Sequence, residues 1–147
     1  MKQATSTQQS SATRLLQWYD RYAIGIEDVD EEHKKLLAMI NLLLVGLRME
    51  DVNGANMALN ELLLYTKYHF EHEEMFLERE GYSKLNSHKK LHENMIKQII
   101  GLKLDFRGGL DEKLYLQTAD TLRAWLYDHI QNHDKAYAQE LKRLGKL

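Results

Sequence analysis

Apolar residues recur every three or four positions along most of the chain, which is the spacing of helices that bury one face. The first apolar stripe consists of Leu36, Leu37, Ile40, Leu43, Leu44 and Leu47. It predicts a helix that is capped by Asp30 and runs to about Met49, with Glu31 and Glu32 in its first turn. Acidic residues are favourable there because the amino end of a helix carries partial positive charge.

Three further stripes predict three more helices. A second helix follows the segment 51–54 and ends at Gly81, and a third begins between Ser83 and His88 and ends at the Gly108-Gly109 pair. Asp111 opens the fourth. The stripes are Leu59, Leu62, Leu63, Phe70, Phe76 and Leu77; then Met95, Ile99, Leu102 and Phe106; then Leu114, Thr118, Leu122 and Trp125. Because the connections are short, we predict an all-α fold, an antiparallel up-down-up-down four-helix bundle.

Composition fits one domain preceded by a short tail. Residues 1–14 are rich in Gln, Ser and Thr, which predicts a disordered tail without a secretory signal, and 15–147 form the bundle, with 15–29 as an N-terminal arm. No apolar run is long enough for a membrane span, so we expect a cytoplasmic protein. The 20 basic and 22 acidic residues are well mixed, which argues against a nucleic-acid or anionic-membrane partner. Cysteine is absent, which excludes disulfides and iron–sulfur clusters.

Histidines occupy the faces that should form the core. The inward stripes, extended along each helix, reach His33, His69, His88, His92 and His129, and they also reach Glu73. A lone histidine on an apolar face is usually a core residue with a hydrogen-bond partner. Five of them without a metal would leave many unsatisfied buried polar atoms, at roughly 1–3 kcal/mol each. The pattern therefore predicts a metal site inside the bundle.

The spacing of these residues supports that prediction. His69 and Glu73 are four residues apart, as are His88 and His92, so each pair projects from one helix face. His72 falls on the rim of its helix, and we expect it to be solvated.

The ligand near the end of the fourth helix is not decided by helical geometry. A regular helix favours His133, four residues after His129, as the next inward residue. Asp134 would point about 140° away from His129.

Four motifs together resemble the hemerythrin family in its bacterial single-domain form, over nearly the whole chain from Trp18 to about Tyr137. They are Gly25-Ile26 with Asp30-Glu-Glu-His33, then His69-Phe-Glu-His-Glu73, then His88-Lys-Lys-Leu-His92, and Trp125-Leu-Tyr-Asp-His129-Ile-Gln-Asn-His-Asp134. The resemblance implies two iron ions: one held by His88, His92 and His129, the other by His33 and His69, with Glu73 and Asp134 bridging. If both His129 and Asp134 are ligands, a π-bulge or a break must lie between them.

The resemblance also implies the function. Two iron ions (Fe2+/Fe3+) with a bridging oxo or hydroxo group leave one coordination position open on the iron with two histidines, where the family binds dioxygen. We expect reversible dioxygen binding for storage, delivery or supply in a monomer that is not an enzyme. We expect apolar residues around the open position, with Leu36, Leu37, Ile40, Thr66, Phe70, Leu122 and Trp125 as candidates.

Two alternatives remain open at this point. One is an oxygen or redox sensor module that acts through a signalling partner. The other is a diiron enzyme with oxidase, peroxide or nitric oxide chemistry. An oxygen-consuming enzyme is a further possible partner of a carrier.

Overall fold

A computed structural model of the chain describes residues 15–147, and the predicted disordered tail lies outside them. The helices are α1 (Glu27–Arg48), α2 (Val52–Glu80), α3 (Leu85–Phe106), α4 (Glu112–His129) and α5 (Lys135–Arg143), with a π-helical turn (Ile130–Asp134) joining α4 to α5. Helix α1 packs against α2 and α4, and α3 packs against α2 and α4. The predicted four-helix bundle is confirmed. Among residues 15–147, no helix is both long and apolar enough to cross a membrane.

Local capping sets the ends of the central helices. The Asp51 side chain accepts a hydrogen bond from the Gly54 amide at 3.0 Å, and the Asp111 side chain accepts one from the Leu114 amide at 2.8 Å. Both satisfy amides that a helix start leaves without partners. Gly81 ends α2 with φ of 73°, a left-handed conformation that glycine adopts without strain.

The predicted cap of the first helix is wrong. Helix α1 begins at Glu27 and so takes in residues 27–29, which the sequence assigns to the arm. The Asp30 carboxylate accepts hydrogen bonds from the amides of Ile24 at 2.8 Å and Gly25 at 3.2 Å. Asp30 therefore closes the loop that precedes α1, from a position inside the helix.

The arm packs on α1 and α4. The Leu16 amide donates to the Asn41 side chain at 2.7 Å, and the Asn41 amide group donates back to the Leu16 carbonyl at 2.9 Å. The Tyr22 ring stacks on Tyr127 with centroids 4.5 Å apart. These contacts fix the arm against the helices that bear His33 and His129.

Two apolar clusters fill the interior. The larger one runs through the four long helices and includes Leu36, Leu126 and Ile130. The smaller one joins the end of α2 to α5 and consists of Leu77, Tyr82, Tyr137, Ala138 and Leu141. The histidine cluster lies between them, because His88 contacts the rings of Tyr82 and Tyr137 while Leu36 lies beside His33.

Candidate metal centre

The bundle brings all seven predicted site residues together. Every one is at most 7% exposed, and they come from α1, α2, α3, α4 and the π-helical turn. They are His33, His69, Glu73, His88, His92, His129 and Asp134.

Glu73 divides its two oxygens between two groups of histidines. Its Oε1 lies 2.8 Å from His88 Nε2 and 3.1 Å from His92 Nε2. Its Oε2 lies 3.7 Å from His69 Nε2. The carboxylate therefore stands between two sets of imidazole nitrogens.

Asp134 divides its oxygens in the same way. Its Oδ1 lies 3.0 Å from His129 Nε2 and 3.3 Å from His88 Nε2, whereas its Oδ2 lies 3.0 Å from His33 Nε2. We call the group of His88, His92 and His129 the three-histidine side, and the group of His33 and His69 the two-histidine side. Each carboxylate presents one oxygen to each side.

Many of these donor atoms have no hydrogen-bond partner. The buried atoms without one include Nε2 of His33, His92 and His129 and both carboxylate oxygens of Asp134. Several lie near 3 Å from an oxygen or nitrogen but are not aligned to share a proton with it. Atoms from Glu73 and the three-histidine side all lie within 4.8 Å of one another, as do atoms from Glu73 and the two-histidine side. Imidazole and carboxylate donors converging in this way fit a cation on each side.

The π-helical turn brings Asp134 into the site. It spans Ile130–Asp134, where five residues close a wider turn and place Asp134 on the same face as His129. Asp134 is 0% exposed, whereas His133 is partly exposed, with its ring 5.5 Å from that of His129. The predicted irregularity is confirmed, and the helical geometry that favours His133 does not apply here.

Glu32 supports the two-histidine side and was missed from the sequence, which assigns it only to a helix start. It is 8% exposed, and its Oε1 lies 2.5 Å from His69 Nδ1 while its Oε2 lies 2.6 Å from His72 Nδ1. Burial acts to raise the pKa of Glu32, but hydrogen bonds and charge attraction from the two imidazoles leave that pKa lowered. An ionised carboxylate only accepts, so both Nδ1 atoms donate, which leaves His69 Nε2 as the ring nitrogen that faces the site.

His72 is therefore not simply solvated. Its side chain is 46% exposed, as expected for the rim of α2, but its inner nitrogen is held by Glu32.

Two further side chains hold the site from outside. The Glu74 carboxylate lies 2.7 Å from His92 Nδ1, and the Tyr137 hydroxyl donates to Glu73 Oε2 at 2.8 Å. Burial, followed by the charges of Glu73 and Asp134, raises the pKa of Tyr137 well above its usual value, so the phenol keeps its proton.

The sequence does contain a feature that could have indicated a buried role for Glu32. It lies four residues before Leu36, on the same inward stripe of α1.

The electrostatics of the site couple carboxylates to imidazoles. Burial acts to lower the pKa of His88, but Asp134 and Glu73 beside it raise that pKa to about 9. Burial acts to raise the pKa of Asp134, yet the neighbouring imidazoles, His129 foremost, hold that pKa well below its usual range. Without a cation the site therefore keeps anionic carboxylates next to protonated imidazole.

A small apolar cavity adjoins the two-histidine side. Its volume of about 10 Å³ is about the minimum that admits one water-sized molecule. It is lined by His33, Leu36, His69, Phe70, Met95, Trp125, Leu126, His129 and Ile130. Leu36, Phe70 and Trp125 belong to the predicted wall. Leu37, Ile40, Thr66 and Leu122 are buried but do not line this cavity, and Met95, Leu126 and Ile130 take their place.

The sequence model of the hemerythrin HHE cation binding domain matches residues 24–141. The chain belongs to the hemerythrin family. A bacteriohemerythrin from Stenotrophomonas maltophilia is 35% identical over 128 residues, which are 87% of this chain and 82% of that relative. A hemerythrin-like protein from Naegleria gruberi is 31% identical, covering 82% of this chain and 88% of its own length. A crystal structure of wild-type hemerythrin is similar with a TM-score of 0.77 at 26% identity, covering 86% of this chain and 97% of that one.

Membership of this family agrees with the fold and with the cation-binding character of the site. The matching family model is described as a cation binding domain, and the described residues contain two groups of buried histidines with Glu73 that could hold a metal ion.

Proposed function

We propose that the chain holds two iron ions at this centre and binds dioxygen reversibly, for storage, delivery or local supply. His88, His92 and His129 would hold one ion, His33 and His69 the other, and Glu73 and Asp134 would bridge them. An iron pair supplies a reversible change of oxidation state and an exchangeable coordination position. The relatives named bacteriohemerythrin support the same assignment.

The division of the two carboxylates supports two ions over one. Each of Glu73 and Asp134 presents one oxygen to each group of histidines, as a bridging ligand would. A single ion on the three-histidine side would leave Nε2 of His33 buried without a partner. The two groups differ by one imidazole, so an ion on the two-histidine side has one ligand fewer from the protein.

One observation carries the proposal of oxygen binding: both histidines of the two-histidine side line the apolar cavity of about 10 Å³, together with His129. Leu36, Phe70 and Met95 supply apolar wall, and no acidic or basic side chain other than the histidines lines it. Such a wall favours a small apolar molecule and excludes water and anions, which slows irreversible oxidation. The carboxylates of Glu32 and Glu74 bind the outer ring nitrogens of His69 and His92, on the side of each ring that faces away from the site.

The experiment is a stopped-flow mixture of the anaerobically reduced, iron-loaded protein with oxygen. Absorption spectroscopy monitors the reaction. The oxygen is then replaced by argon, and the solution is assayed for peroxide. We expect one dioxygen to bind per pair of ions and the reduced spectrum to return under argon. Immediate stoichiometric release of peroxide, with no recoverable oxygen, would overturn the carrier function and favour an oxidase. A chain that takes up fewer than two ions would overturn the site.

A further inference from the structure

A buried carboxylate joins one site histidine to the protein surface. Glu32 uses both of its oxygens on imidazoles: Oε1 on His69 Nδ1 at 2.5 Å and Oε2 on His72 Nδ1 at 2.6 Å. His69 is 1% exposed, whereas the His72 side chain is 46% exposed. A continuous hydrogen-bonded connection therefore runs from solvent at α2, through α1, to the two-histidine side.

The other site histidines are supported differently. On the three-histidine side, His92 Nδ1 is bound by Glu74, a carboxylate that is itself partly exposed. On the two-histidine side, His33 Nδ1 has no hydrogen-bond partner. Of the two outer ring nitrogens on that side, the one that is hydrogen-bonded to a carboxylate is therefore His69 Nδ1, through Glu32.

Glu32 and His72 should have opposite effects on how strongly His69 donates to a metal ion. A carboxylate that accepts the outer N–H of a ligand imidazole fixes the ring and makes its inner nitrogen a stronger donor. A second N–H on the same carboxylate draws part of the negative charge away and weakens that effect. His72 thus acts against Glu32, although both belong to one chain of hydrogen bonds.

We propose that Glu32 is a positioning residue that orients His69 and strengthens it as a donor, and that His72 moderates this effect from the surface. The inference rests on the proposed function, because it needs a metal ion on the two-histidine side. It assigns to Glu32 and His72 opposite effects on the oxidation state of that ion. The pair would set how readily the reduced centre is oxidised.

The test compares substitutions by two measurements: titration of the metal-free protein with Zn2+, and the midpoint potential of the iron-loaded protein. Glu32→Gln keeps the shape but removes the charge. We expect it to weaken binding of one Zn2+ by about 10- to 100-fold. We expect its midpoint potential to rise, with the balance between reduced and oxidised forms changing by about tenfold, or 59 mV for one electron.

The His72 variants should move the potential the other way. His72→Ala should keep both metal ions and lower the potential, because Glu32 then acts on His69 alone. His72→Gln keeps an N–H donor and should return the potential toward that of the wild type. Since His72 is half-exposed, these variants test the inference even where Glu32→Gln fails to fold. The matched control is Glu71→Gln, which removes an exposed carboxylate from α2 and should change neither measurement.

The outcomes separate this inference from the proposed function. A wild-type protein that does not take up two metal ions contradicts the proposed function itself. If the wild type binds two ions but Glu32→Gln behaves like Glu71→Gln, only the inference is overturned. The same conclusion follows if the potentials of Glu32→Gln and His72→Ala move in the same direction, as loss of a merely structural contact would cause.

Discussion

His129 and Asp134 are five residues apart, yet His129 Nε2 lies 3.0 Å from Asp134 Oδ1. A regular helix would turn Asp134 about 140° away from His129. The π-helical turn (Ile130–Asp134) absorbs one extra residue and returns Asp134 to the inner face. It also sets which residues of α5 face inward, namely Tyr137, Ala138 and Leu141.

Deleting the exposed residue Asn132 should therefore preserve the site. The deletion places Asp134 four positions after His129, a spacing that a regular α-helix puts on one face. We expect two metal ions per chain and loss of the π-helical turn, seen by metal analysis and a crystal structure. Deletion of Asp120, inside regular α4, is the control. It should rotate His129 and Asp134 by about 100° and abolish metal binding. Loss of metal in the Asn132 deletion would contradict this account of the turn.

Replacing Glu73 with Ala should remove both metal ions together. Glu73 contacts histidines of both sides, so its loss takes one oxygen from each ion and leaves the Tyr137 hydroxyl without an acceptor. We expect iron content to fall from about two ions per chain to near zero, measured by elemental analysis after anaerobic loading. Glu78→Ala, an exposed change on the same helix, should keep both ions. Retention of one tightly bound ion in Glu73→Ala would argue against bridging.

The metal-free protein should lose stability as the pH rises from about 6.5 to 9. The pKa of His88 is raised from 6.5 to about 9, because Asp134 and Glu73 outweigh the effect of burial. A raised pKa in the folded state stabilises below the unfolded value and is lost as pH passes the folded value. At about 1.4 kcal/mol per pKa unit, the loss is of the order of a few kcal/mol. Urea unfolding at pH 6, 7.5 and 9 measures it.

Metal binding should have the opposite pH dependence to the stability of the metal-free protein. Ligand imidazoles must be neutral, so binding releases the His88 proton and becomes tighter as the pH rises. Zn2+ titration of the same protein in weakly buffered solution should show proton release that decreases toward pH 9. A metal-free protein equally stable at pH 6 and pH 9 would contradict the raised pKa.

Making the cavity wall polar should speed oxidation. Met95→Gln nearly conserves volume but introduces an amide next to the two-histidine side, where it can hold water. We expect loss of the oxygenated spectrum to accelerate by about tenfold, which is about 1.4 kcal/mol of barrier. Iron content should stay unchanged. Met39→Gln is the matched control, because Met39 packs on the larger cluster but does not line the cavity.

Much of the bundle could be predicted because its helices depend on local signals. The apolar stripes predicted the four helices of the bundle, though not the separate α5, and the side chains of Asp51 and Asp111 cap helices whose starts the sequence predicts. Asp30 has the same chemistry as those caps but is used three residues inside α1, since it bonds back to the loop before the helix. Composition does not distinguish a cap from a side chain that closes a loop.

The inner histidines could be found for the same reason, since each continues an apolar stripe. The supporting groups could not, because their role depends on contacts between helices. Glu32 has the sequence position of a first-turn acid but reaches His69 and His72 across the α1–α2 contact. Tyr137 faces the site only because the π-helical turn changes the register after His129, which helical periodicity does not anticipate.

The position of the site between two apolar clusters has a consequence for unfolding. The smaller cluster ties α5 to the end of α2, and the ion-binding groups join it to the larger one through Asp134 and the Tyr137–Glu73 hydrogen bond. Without metal, that junction is a layer of charged groups. Helix α5 and the Tyr82 region should then open as a separate unit, below the free energy of global unfolding. Hydrogen exchange of amides near Leu141 should be fast in the metal-free protein and slow in the metal-loaded one. Loss of metal should therefore make α5 more susceptible to proteolysis.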